Sequence, residues 1–186
     1  MSFCTIAAFN IELRGIRIAL RTALDADLVQ LDKQELNFVE NIRKHGWVAT
    51  HVPSDDDGPG FSYTTGFYLK FNYPELILFS LRGPVAHDTF WYVYRELEAG
   101  RRFPIGEPLD QVFQNASAVL VPVSIDQYRA HLDWSRWFYG SDDFQCLQLV
   151  FPDSSGQFPW SPHSAESFRA TQPDLTSGNW SGLPDR

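Results

Sequence analysis

The sequence predicts an α+β domain: a mostly antiparallel sheet or half-open barrel with two main helices packed on one side. Three observations predict it. Strand-like runs at 47–52, 61–71 and 75–81 follow one another too closely for helical crossovers, so they should pair antiparallel. Two segments, 33–45 and the stretch from Pro84 to Gly100, carry apolar residues at helical spacing. Tight turns built from Gly, Pro, Asn and Asp separate most of these runs.

Residues 1–31 read as an N-terminal extension, helical or partly ordered. Leu13, Ile16, Leu20 and Leu24 fit a helical stripe, while Ile16, Ile18 and Leu20 alternate with arginines as in a strand. The single α+β domain is expected over 32–162. Asp32 and Glu35 have capping-box spacing, Leu36, Val39 and Ile42 follow at helical intervals, and Gly46 supplies the stop. Trp47 to Val52 reads as a strand with Trp47, Ala49 and His51 on one face. Phe61 to Phe71 has strand composition, with Gly66 marking a bulge or a close backbone approach. Glu75 to Leu81 is a buried-type strand, and Pro84 suits a first helical turn. Residues 101–116 look irregular. Ala118 to Val123 and Phe144 to Phe151 complete the strands, with a short helix from Asp126 to about Leu132. Beyond Trp160 the composition turns to Ser, Pro, Gly, Asp and Thr, so 163–186 reads as a poorly ordered tail.

Composition narrows the function. The chain has 186 residues with 15 Lys+Arg against 23 Asp+Glu, a net charge of −8 that disfavours a nucleic-acid partner. Two cysteines, Cys4 and Cys146, make no disulfide framework, which points to the cytoplasm. No run reaches the ~20 apolar residues of a membrane span. The arginines Arg14, Arg17 and Arg21 follow the apolar N-terminal run, the wrong order for a secretory signal. The sequons at Asn115 and Asn179 carry no meaning without secretion.

The phosphate-loop, dinucleotide, nucleophile-elbow and zinc signatures are missing, so no cofactor and no metal is expected. Asp55-Asp56-Asp57-Gly58 invites a calcium reading, but that register puts Pro59 and Gly66 at ligand positions; an acidic turn fits better. Among five histidines His51 is the best candidate for a base or ligand, because it ends a strand beside a loop. Rings crowd between Trp134 and Trp160, 8 in 27 residues. Trp137, Tyr139, Phe158 and Trp160 are expected to flank turns, where aromatics either lid a core or line a pocket.

At these residues the chain resembles a bacterial family, domain of unknown function 4262. The resemblance rests on Gly46-Trp47, on Asp57-Gly58-Pro59-Gly60-Phe61-Ser62-Tyr63-Thr64-Thr65-Gly66-Phe67 and on Pro74-Glu75-Leu76. It continues through Val121-Pro122-Val123, Trp137-Phe138-Tyr139-Gly140, Gln148 to Asp153, and Gly156-Gln157-Phe158-Pro159-Trp160, covering about 33–162. Phe67 and Phe151 depart mildly from the family's more usual Leu and Trp. The resemblance implies a small bacterial cytosolic domain and supplies no catalytic residues.

Two functions compete on these grounds. The first is an accessory or immunity-like protein binder acting through an acidic, aromatic-edged surface; Tyr63, Thr64, Thr65, Gly66, Trp137, Tyr139, Phe158 and Trp160 would meet the partner. The alternative is a small enzyme or small-molecule binder. There His51 would act as base or ligand with Glu75 and Asp153 as carboxylate partners, and Tyr63, Thr65 and Trp160 would line the pocket. A split-barrel flavin site is a third reading, suggested by the strand-dense middle.

Overall fold

The computed structural model describes residues 10–13, 16–19, 22–113, 116–178, 180 and 183. Cys4, Asn115 and Asn179 lie outside them. The first elements are a hairpin of β1 (Asn10–Leu13) and β2 (Ile16–Ala19), so the alternating pattern prevails over the helical stripe in this stretch. Helix α1 (Lys33–His45) follows as the sequence predicts. The Asp32 carboxylate accepts from the Gln34 and Glu35 amides, Glu35 reaches back to the Asp32 N–H, and Gly46 at φ +83° closes the end.

A six-stranded open sheet forms the centre, in the order β3 (Val48–Val52), β4 (Phe61–Thr65), β5 (Glu75–Phe79), β8 (Cys146–Val150), β7 (Ala118–Pro122) and β6 (Pro108–Leu109). Every neighbouring pair is antiparallel except β5 and β8, which run parallel. The α+β class and the mostly antiparallel sheet are therefore as expected. The sheet stays open and does not close into a barrel.

Alternation along β5 sorts the core into two sides. Leu76 and Leu78 pack with Ala86, Phe90, Val93 and Leu97 of α3 (Gly83–Glu98). Ile77 and Phe79 pack with Phe38 and Ile42 of α1, and with Tyr128 of α4 (Tyr128–His131) and Phe138 and Tyr139 of α5 (Asp133–Tyr139). The two long helices thus cover opposite faces, not the single side expected. Each apolar stripe needs its own half of the two-faced strand, and β5 is buried along its whole length.

Two local expectations are also corrected. The strand starting at Phe61 stops at Thr65, and Phe67–Phe71 is a short helix, α2, whose Phe67 and Phe71 rings meet at 6.1 Å. Gly66 makes the break at φ +120°, where a Cβ would lie 2.5 Å from the Gly46 carbonyl oxygen and 2.8 Å from the Trp47 Cα. The close backbone approach expected at this glycine is real. Residues 137–139, taken for turn-borne rings, belong to α5, and only Gly140 at φ +65° begins the turn.

Residues 161–178 are packed, in contrast to the poorly ordered tail expected. They form the short helix α6 (Glu166–Arg169) and then cross the sheet. Gln172, 1% exposed, pairs with both the N–H and the C=O of Phe151. Gln148 holds the Pro173 carbonyl and the Leu175 amide, and Leu175 is buried. Polar side chains here replace the missing ladder, which is why a Ser/Pro-rich composition can still be ordered.

Candidate functional site

The sequence-predicted site residues fall into three separate places. Thr64, Thr65, Gly66, Glu75 and Tyr139 meet at one end of the sheet, all buried. The β4–β5 ladder stops at Tyr63 and Ile77, and beyond it the Leu76 N–H donates to Thr64 Oγ1 at 2.9 Å. Into that gap reaches the Glu75 carboxylate. It accepts from Thr64 Oγ1 at 2.6 Å, from the Gly66 and Tyr68 amides at 2.8 and 3.0 Å, and from the Tyr139 hydroxyl at 2.5 Å. Burial raises the Glu75 pKa, and the four donors oppose that rise. Burial, followed by the Glu75 charge, raises the Tyr139 phenol well above its ordinary value, so it stays a donor. Thr65 and Ser135 share a hydroxyl contact at 2.7 Å, and Ser135 also donates to the Thr64 carbonyl. This constellation ties β4, α2, β5 and α5 together and has no exposed face: Thr64, Thr65, Glu75 and Ser135 are each 0% exposed.

The second place holds Asp153, Phe158 and Trp160. Asp153 caps its own turn, accepting from the Ser155 and Gln157 amides at 2.8 and 2.9 Å. Phe158 is buried with its ring stacked on Trp160 at 4.5 Å, and Trp160 meets Trp180 at 5.3 Å. These rings complete a core with Val119, Val121 and Val150. Trp137 likewise packs edge-on to Phe38 and Trp134. Tyr63, 2% exposed, accepts the Trp134 amide with its hydroxyl, and burial pushes its pKa up to about 12.

His51 stands in the third place, apart from both carboxylates. It pairs with Ser62 across β3 and β4, and Ser62 pairs in turn with Leu78. Glu75 lies three residues, about 10 Å, further along β5, already two strands away. The expected His51–Glu75 and His51–Asp153 couples are therefore not formed; Glu75 is occupied in the interior and Asp153 in its turn.

What His51 does border is a cleft of about 670 Å³ at the end of the sheet where β3, β4 and β5 meet the start of α3. His51, Ser54, Ser62, Ser80 and Arg82 supply its polar lining, and Val52, Pro53, Pro59, Phe61 and Leu81 its apolar one. His51 Nδ1 lies 2.8 Å from Ser62 Oγ. Behind it, His87 of α3 sits 6.4 Å away, accepts from Trp91 Nε1 at 2.9 Å, and stacks on Trp47 at 5.5 Å. Partial burial, then the proximity of His87, lowers the His51 pKa, so the ring is neutral at pH 7. Gly83 passes close to that ring; a Cβ there would make ordinary van der Waals contact with His51 Cγ and Nδ1 at 3.7 Å. Sequence reasoning found His51 but missed Ser62, Ser80, Arg82 and Gly83. The one usable signal was register: a hairpin joining 47–52 to 61–71 places a residue of the second strand opposite His51. No cluster of three or more His, Cys, Asp and Glu side chains able to hold a metal occurs among the described residues. None of their helices is long and apolar enough to cross a membrane.

An open, mostly antiparallel sheet, helices on both faces and a cleft at one sheet end define a small α+β domain. The family model described as domain of unknown function (DUF4262) matches residues 41–165, and the chain belongs to that family. No curated protein and no solved structure matches the chain.

Proposed function

We propose that the protein is a small-molecule-binding domain whose site is the His51 cleft. The single observation that carries this reading is the cleft itself. Its volume falls within the range of ordinary ligand sites, and it combines apolar walls with a few convergent polar groups. Of the rings named for a protein interface, Tyr63, Tyr139 and Phe158 are 2–3% exposed and belong to the core, so they offer a partner no anchoring surface; Trp137 and Trp160 are half-buried, packed on other rings. Binding is favoured over acid–base catalysis because the His51–Ser62 pair has no carboxylate beside it among the described lining residues.

A survey of the full chain with a diverse library of neutral and charged fragments, followed by amide NMR, tests this reading. Hits should shift the amides of Gly60, Ser62, Leu81 and Gly83 together. A survey whose hits map only to other surfaces, or that yields none, overturns it.

A further inference from the structure

We propose, taking the cleft as the binding site, that its ligand carries a carboxylate or phosphate group on a small apolar body. The polar lining holds one cation and no carboxylate. Arg82 is exposed at the cleft and makes no ion pair or side-chain hydrogen bond among the described residues. Its guanidinium therefore keeps its fork of N–H groups uncommitted at a residue of the cleft wall, a group that grips carboxylate and phosphate in a bidentate manner. His51 adds a second nitrogen donor. We take the tautomer in which Ser62 donates to Nδ1, so that the neutral ring carries its proton on Nε2, a nitrogen that makes no hydrogen bond among the described residues. Ser54 adds a hydroxyl to the lining, whereas Ser80 Oγ is committed, donating to the Thr171 carbonyl at 2.7 Å.

The charge balance of the lining supports the same ligand. Acidic residues outnumber basic ones by 23 to 15 in the chain, yet none of the described residues lining the cleft is Asp or Glu, and one is Arg. The neighbouring acidic loop stays outside the lining, with Asp56 and Asp57 exposed. Asp55 turns its carboxylate onto its own loop, where Oδ1 accepts from the Asp57 and Gly58 amides at 3.0 and 3.2 Å. Gly83 opens the 16-residue helix α3 at the cleft wall, so the positive end of that helix adds a field of the same sign. The apolar walls, Val52, Phe61 and Leu81 among them, leave room for an organic body in addition to the anion.

The test titrates the full chain with four probes followed by amide NMR: phenyl phosphate, benzoate, inorganic phosphate and neutral benzyl alcohol. Phenyl phosphate or benzoate should shift Gly60, Ser62, Leu81 and Gly83 and bind about tenfold or more tightly than benzyl alcohol, the gain of one charge-assisted contact. The stronger of the two names the anion, and weaker binding of inorganic phosphate shows that the apolar body contributes. Arg82→Gln, an exposed substitution, should erase the preference for anions while leaving benzyl alcohol unchanged. Equal binding of benzyl alcohol, or an unchanged preference in Arg82→Gln, overturns the anion assignment and leaves the cleft as a neutral-ligand site. If none of the four shifts a cleft amide, the assignment also falls. The fragment survey, which includes neutral and cationic molecules, then decides the binding reading on its own.

Discussion

Tyr139 of α5 donates its phenol to the Glu75 carboxylate at 2.5 Å, joining a helix to the first residue of the central strand across 64 residues of sequence. Among the described residues no cation pairs with Glu75, which is 0% exposed. Its four hydrogen-bond donors are therefore what makes a buried carboxyl tolerable there.

A pH dependence follows. Because burial raises the Glu75 pKa, the folded chain holds that proton more tightly than the unfolded one. Its contribution to stability is fully present below the ordinary carboxyl value of about 4.3 and is lost as pH rises through the elevated folded value. Glu75→Gln keeps the acceptor facing Gly66, Tyr68 and Tyr139 and removes the titration. Urea denaturation across pH 4 to 8 should show the variant gaining on the wild type as pH rises. Parallel profiles would remove Glu75 from the account.

Gly66→Ala should be among the most damaging single substitutions. Its Cβ would press on the Gly46 carbonyl and the Trp47 Cα, both backbone, at a φ of +120°. A loss of about 3 kcal/mol is expected in denaturant unfolding. A loss below about 1 kcal/mol would mean that the chain relaxes around this turn.

Ser135→Ala should cost about 1–2 kcal/mol, because it leaves the buried Thr65 hydroxyl without its 2.7 Å partner. Thr65→Val in the same chain should recover part of that loss, giving a measurable coupling energy. Additive effects would show that the two hydroxyls do not interact.

The segment beyond residue 162 gives a prediction opposite to the one its composition suggests. Gln172→Ala leaves the Phe151 N–H and C=O unpaired in a part-buried place and should destabilise by about 2 kcal/mol. Truncation after residue 162 should cost more, since it also uncovers the contacts of Leu175 and Gln148. A truncated chain with unchanged unfolding would restore the reading of a loose tail.

How much of this was legible in the sequence depends on which kind of signal each element left. The cap at Asp32, the stop at Gly46 and the stripe from Ala86 to Leu97 are local patterns, and they placed α1 and α3 correctly. Helix α5 was hidden because one of its buried positions is Ser135, a polar residue that breaks the apolar count but finds partners in three dimensions. The short helix α2 was hidden by β-type composition, since Phe67, Tyr68 and Phe71 read as strand until Gly66 turns the chain. Which face each helix covers is a tertiary fact with no local trace. The site was half visible. His51 was found from its place at a strand end, whereas its neighbours Arg82 and Gly83 come from 31 or more residues away and meet it only through the sheet order. The conspicuous rings misled because rings near glycines and prolines look solvent-facing, and here most of them fill the core.

The central claim is that the His51 cleft holds a small molecule. Crystals of the full chain soaked with fragment mixtures test it most directly. The account predicts ordered fragment density between His51, Ser62, Arg82 and Leu81. Density that recurs at other surfaces, with the cleft filled only by solvent across the whole library, would contradict it.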